Sequence, residues 1–235
     1  MDIWNPDQNT TKGAIYLAEG DAVFGEMERA IGISVMGVSS VGGSIFSPKI
    51  RSKKSVQKAG ERELQIFAES WTMWLQQPFT EHLAETFVEV YMAAAEMRLR
   101  RVTQLDLSLG QCLSGAEARR SRAAGQCFLE GKSEMQRAPQ WQKYARSVEA
   151  GECPGHVVTV FALQSALYHL PLLSALTAYV YFEWRAGMSV FIGDSVIQKK
   201  GLTLQKFQQD YPQSMQVVRQ VFAGESEFGA AISAV

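Results

Sequence analysis

From Gly60 onward the apolar positions of this chain recur at three- and four-residue steps, the period of a helix with one buried face. Leu64, Phe67, Ala68, Trp71, Trp74 and Leu75 form the first stripe. Pro78 is expected to interrupt it, because a proline ring inside a helix removes a hydrogen bond. Phe79, Leu83, Phe87, Tyr91 and Ala94 then resume the stripe up to a basic cluster, Arg98, Arg100 and Arg101. Cations there suit the negative end of a helix dipole. A shorter helix is expected around Leu105, Leu109 and Leu113, with a break at Gly115. Ala116 to Glu130 predicts a polar, Ala-rich helix, and Trp141 to Val148 a short one. Gly151-Glu152-Cys153-Pro154-Gly155 reads as a turn. Leu202 to Phe222 predicts a final helix or two, interrupted at Tyr211-Pro212.

One stretch decides the class of the protein. Between Val157 and Phe182 there is no Lys, Arg, Asp or Glu, a run long enough to cross a membrane as one helix. Against that reading, Gln164, Ser165, His169, Pro171, Ser174 and Thr177 fall through what would be the hydrocarbon zone, where polar groups are costly. No Lys/Arg cluster marks one immediate flank. Two buried helices broken at Pro171, over 155–169 and 171–192, account for the run better.

The N-terminal quarter differs. Residues 1–12 are polar and turn-rich, Ala14 to Ile31 could form a helix, and residues 32–55 read as a Gly-punctuated loop ending in Lys49, Arg51, Lys53 and Lys54. Period-2 alternation of useful length occurs only within 31–46. The pattern predicts an all-α, single-domain helical bundle of about seven to nine helices over 56–235, preceded by a separate arm and loop over 1–55.

Composition narrows the class further. The chain has 235 residues, 46% of them hydrophobic, so it can bury a core without disulfides. Its formal net charge of −1 offers no global attraction to nucleic acid or anionic lipid. Three scattered cysteines, Cys112, Cys127 and Cys153, suit a reducing compartment, and the N-terminus has no signal-peptide pattern. The expected location is the cytoplasm.

Candidate chemistry is sparse. Gly37 to Ser44 has the outline of a phosphate loop, but Gly43 stands where that motif needs its Lys. Ser55-Val-Gln-Lys58 matches a Ser-x-x-Lys pattern that nothing else in the chain supports. Cys153 and His156 lie three apart in a turn and are weak candidates for a metal site, two ligands being too few. The basic segment 49–58 has no interleaved aromatics of the kind a nucleic-acid groove uses. Trp71, Trp74 and Phe79 could line a small-molecule pocket, which keeps a helical enzyme as the alternative, with an integral membrane protein behind it.

Several motifs, taken in order, resemble the UreF family of urease accessory proteins. His156 at a helix start is followed by Ala175-Leu176-x-x-Tyr179-Val180-Tyr181, similar to the family's Ala-Leu-x-x-Tyr-Leu-Tyr, and then by Gln198-Lys-Lys-Gly201. Upstream, Leu105-Asp106-Leu-Ser-Leu109 resembles its Leu-Asp-x-x-Leu. Ser121-Arg122-Ala-Ala-Gly125 resembles its Ser-Arg-x-x-Gly, continued by Phe128 and Leu129. Gln77-Pro78-Phe79, opening a long helix, also fits, and the likeness covers roughly residues 60–210.

The resemblance implies an all-α adaptor without catalysis of its own. Such a protein serves GTP-dependent nickel insertion into apo-urease, bridging a metallochaperone GTPase and a second accessory protein, and dimerises. It implies no resident cofactor, nickel being handled by the complex, and neither nucleic acid nor membrane as a partner. Carried over residue by residue, it implies partner-binding positions at Arg119, Ser121, Arg122, Gly125, His156, Tyr179, Tyr181, Gln198 and Gly201. Tyr179 and Tyr181 point in different directions on a helix, so at most one of them should face a partner.

Overall fold

The computed structural model describes residues 61–130, 137–192, 207 and 209–223. The Gly-rich loop with its phosphate-loop outline, the Ser55/Lys58 pair, the N-terminal helix, Gln198 and Gly201 lie outside the described residues. What is described is all-α: helices α1 (Glu61–Trp74), α2 (Ala84–Ala95), α3 (Leu99–Cys112), α4 (Gly115–Glu130), α5 (Pro139–Glu149), α6 (Val157–Leu167), α7 (Leu172–Ile192) and α8 (Pro212–Ala223). A π-helical segment, Leu75–Leu83, joins α1 to α2 without a break.

That segment corrects the expected interruption at Pro78, which sits inside it. The wider turns take up the missing N–H, and they also solve a problem of phase. At about 3.6 residues per turn, the buried stripe Phe67/Trp71/Trp74 and the buried stripe Phe87/Val90/Ala94 would face directions about half a turn apart. Slower winding over residues 75–83 brings both onto one core. Thr80 helps by bonding back from Oγ1 to the Leu75 carbonyl at 2.7 Å.

The charge-free run forms two helices, as its polar residues and Pro171 predicted. α6 is buried from Val157 through Ala166 on every side, because α2, α3, α4 and α7 all pack against it. A helix apolar all round must be wrapped in this way. α7 is buried from Ser174 through Trp184. Among the described residues, no helix is long and apolar enough to cross a membrane. Phe161, Phe87, Phe128, Tyr179 and Phe182 interlock at ring separations of 5.3–6.4 Å around α6. A second aromatic group, Tyr181, Trp184, Phe207 and Tyr211, joins α7 to the residues leading into α8.

Three helices stop in the same way. The N–H groups of Arg98, Glu152 and Leu170 each reach back five residues, to the carbonyls of Ala93, Ser147 and Ser165. This closure needs a left-handed residue just past the helix end. Gly151 supplies it after α5 (φ 73), while Met97 (φ 60) and His169 (φ 55) supply it after α2 and α6. His169 thus serves a helix end. The Tyr91 hydroxyl of α2 donates to the Leu170 carbonyl, fastening the turn between α6 and α7 to the bundle. The break expected at Gly115 falls one step earlier: Ser114 caps α4, its Oγ accepting the Glu117 N–H at 3.4 Å while Glu117 Oε2 accepts the Ser114 N–H at 3.0 Å.

Candidate functional site

The first turn of α6 is where the matched motifs meet. A helix start leaves backbone N–H groups without intrahelical partners, and burying them unpaired is costly. Here α3 and α4 supply the acceptors. Asp106, fully buried on α3, accepts the Gly155 N–H at 2.7 Å and the His156 N–H at 3.0 Å, one carboxylate oxygen each. Its Oδ2 also accepts the Tyr144 hydroxyl of α5 at 3.0 Å. Ser121 of α4, equally buried, accepts the Val157 N–H at 3.2 Å.

Two glycines permit the approach. A Cβ on Gly125 would stand 1.9 Å from the Gly155 carbonyl oxygen, so α4 can lie directly on this turn only without a side chain there. Gly155 itself has φ +72, and a Cβ on it would meet Val148 at 2.9 Å. The Leu-Asp-x-x-Leu, Ser-Arg-x-x-Gly and His motifs are therefore one junction, in which α3, α4 and α5 grip the start of α6.

His156 lies at the heart of it. The residue is 1% exposed, Nε2 sits 3.3 Å from where a Cβ of Gly110 would be, and among the described residues neither ring nitrogen has a hydrogen-bond partner. Burial holds its pKa below the usual value; the Asp106 charge opposes that and the Arg122 charge adds to it. The neighbouring Tyr144 is pushed well above the ordinary tyrosine value by burial, then by Asp106. Burial, followed by the Asp106 charge, pushes Cys153 up to about 12. Among the described residues, no group of three or more His, Cys, Asp or Glu could hold a metal ion, so the Cys153/His156 pair gains no further ligand.

The structure separates the remaining site residues. Arg119 and Arg122 are exposed on α4, while Ser121 and Gly125 face inward. Tyr179 and Tyr181 are 0% and 1% exposed, which corrects their expected place at a partner-facing surface. They do point apart, but each direction is interior. Tyr179 packs on Phe87 and Phe161 and donates to Glu183 at 3.1 Å, whereas Tyr181 packs on Trp184 and Phe207.

The aromatic pocket of the enzyme alternative is also core. Trp71 and Trp74 stack at 4.7 Å, Phe79 follows at 5.5 Å, and Trp71 Nε1 donates to Ser214 at 2.9 Å. A groove of about 320 Å³ lies elsewhere, between the end of α4 and α5, over Leu129, Trp141 and Val148.

Sequence reasoning named Asp106 only as part of a motif and passed over Tyr144. The available signal was the position of Asp106 between Leu105 and Leu109, in the apolar stripe of α3. A carboxylate on a buried stripe must be satisfied from outside its own helix.

No curated protein and no solved structure matches the chain. A family model does: the one for UreF matches residues 60–188, more than half of the chain and all of the α3–α6 junction. The chain belongs to the UreF family of urease accessory proteins.

Proposed function

We propose that this protein is an adaptor in GTP-dependent nickel insertion into apo-urease, acting without catalysis of its own. It bridges the metallochaperone GTPase and a second accessory protein, works as a homodimer, and does so in the cytoplasm. Nickel is the cargo of the complex and no resident cofactor is involved. Family membership over residues 60–188 carries this reading. The chemistry of the junction supports it: Asp106, Ser121 and Tyr144 are engaged in holding α6, and Cys153 is held as a thiol. These groups build a rigid scaffold for surfaces, which is what an adaptor needs.

Two measurements test the reading together. The chain is expressed in a urease-positive host deleted for its own UreF member, and urease activity and urease-bound nickel are followed. In parallel, the purified protein is tested for capture of the urease GTPase and of the second accessory protein. Restored activation with capture of both proteins is expected. Failure of both overturns the adaptor role, as does reproducible turnover of a small molecule lost on one substitution.

A further inference from the structure

α4 presents an outward stripe at Arg119, Arg122, Gln126 and Glu130, opposite the inward residues Ser121, Ala124, Gly125 and Phe128. The two halves of this stripe differ in charge balance. Toward the C-terminus, Gln126 donates to Glu130 at 2.8 Å. Toward the N-terminus, Arg119 and Arg122 are three residues apart, so their Cβ atoms are about 5–6 Å apart. Among the described residues neither takes part in an ion pair, whereas Arg98 and Arg101 pair with Glu96 and Glu89.

The nearest acidic residue along the helix, Glu117, is engaged in the reciprocal cap with Ser114.

Arg122 Nε donates to the Ala118 carbonyl at 3.3 Å, which steadies the guanidinium and leaves its two terminal nitrogens for an incoming group. Arg119 Nη1 folds back toward the first turn, 3.8 Å from where a Cβ of Gly115 would be. Both side chains thus reach back along α4 toward its N-terminal end. The backbone beneath is fixed by the contact of Gly125 with Gly155 and Val157.

We propose that Arg119 and Arg122 form a docking surface for an acidic segment of a partner protein, with carboxylates spaced to meet two guanidinium groups. Bidentate arginine–carboxylate pairing gives such a contact its geometry as well as its strength. The inference rests on the adaptor reading and adds the chemistry of the partner segment. Protein carboxylates fit better than nucleic-acid phosphates. A two-arginine patch on a chain of net charge −1 lacks the extended basic track that phosphate backbones need.

The test uses the full chain against the purified urease GTPase and second accessory protein of the same organism, by biolayer interferometry at low and moderate salt. The double variant Arg119→Glu/Arg122→Glu is compared with Arg100→Glu, another exposed arginine on a different helix. The double reversal is expected to weaken binding of one partner tenfold or more, with an unchanged melting temperature. Arg100→Glu should stay within twofold of wild type. Binding should weaken with salt in the wild type and return when an acidic pair on the partner is changed to Lys. Binding of the double reversal within twofold of wild type overturns this surface and leaves the adaptor reading standing. Wild type that binds neither protein overturns both. Binding of a labelled single-stranded oligonucleotide that the double reversal abolishes would assign the patch to phosphate and overturn the acidic-segment proposal.

Discussion

The carboxylate of Asp106 accepts the backbone N–H of His156 from 50 residues away in the chain, at 3.0 Å and out of contact with solvent. This bond and its neighbours make the start of α6 the point on which four helices agree. The first consequence concerns Asp106 itself. Asp106→Ala would leave the Gly155 and His156 amides and the Tyr144 hydroxyl buried without their acceptor, at about 1–3 kcal/mol each. Because the site can relax in part, the expected loss is about 3–5 kcal/mol in urea denaturation. Asp106→Asn should fall between, since it keeps one acceptor oxygen but turns an amide donor toward donors.

Gly125 gives a steric counterpart. Gly125→Ala places a methyl group 1.9 Å from the Gly155 carbonyl oxygen, a backbone atom that cannot step aside as a side chain can. The expected cost is about 3 kcal/mol or more, above the ordinary range for overpacking. Gly115→Ala, where the nearest atom is an Arg119 nitrogen at 3.8 Å, should be tolerated. Equal melting temperatures for the two variants would contradict the close approach of α4 to the turn.

His156 should make the fold acid-sensitive. Its folded pKa is lowered from 6.5, chiefly by burial, so below that pH the unfolded chain takes up a proton that the folded chain resists. Stability is full above about pH 6.5 and falls as pH drops toward the folded pKa, by at most about 1.4 kcal/mol per pH unit for one proton. His156→Leu removes no hydrogen bond from the ring. It should lose less stability than wild type between pH 7 and 5. Parallel curves for the two proteins would remove His156 from the acid response.

At the end of α2, Met97 holds a left-handed backbone (φ 60) with 71% of its surface exposed. A non-glycine residue pays about 1–2 kcal/mol for that conformation, and this side chain returns little packing. Met97→Gly relieves the strain but loosens the unfolded chain, leaving a net gain of about 0.5–1 kcal/mol. A rise of about 2 °C in melting temperature is expected, and a fall would contradict the geometry of this turn.

The helical layout was readable because most helices here are half-buried, and half-burial writes a period into the sequence. The α6–α7 pair could be read from its scattered polar residues and from Pro171. Reasoning by period fails where a helix is buried all round, which is why the two-residue offset of Tyr179 and Tyr181 suggested one outward ring. It also fails at Pro78, because the compensation there is a change in winding that no single residue announces. Motif order brought Asp106, Ser121, Gly125 and His156 to attention before their contacts were known. Their mutual contacts were not readable, since each joins segments 30 to 50 residues apart. Tyr144 belongs to none of those motifs, and only its hydroxyl contact reveals it.

The grip on α6 also shapes how the molecule opens. The amides of Gly155, His156 and Val157 are held by side chains from α3 and α4, so fraying of α6 alone cannot release them. Their solvent exchange requires those helices to separate, which makes these amides reporters of cooperative unfolding. Because the contacts span long stretches of chain, forming the grip requires the slow closure of distant segments. A chain interrupted between α3 and α6 would carry every helix of the junction and still lack the event that locks them together.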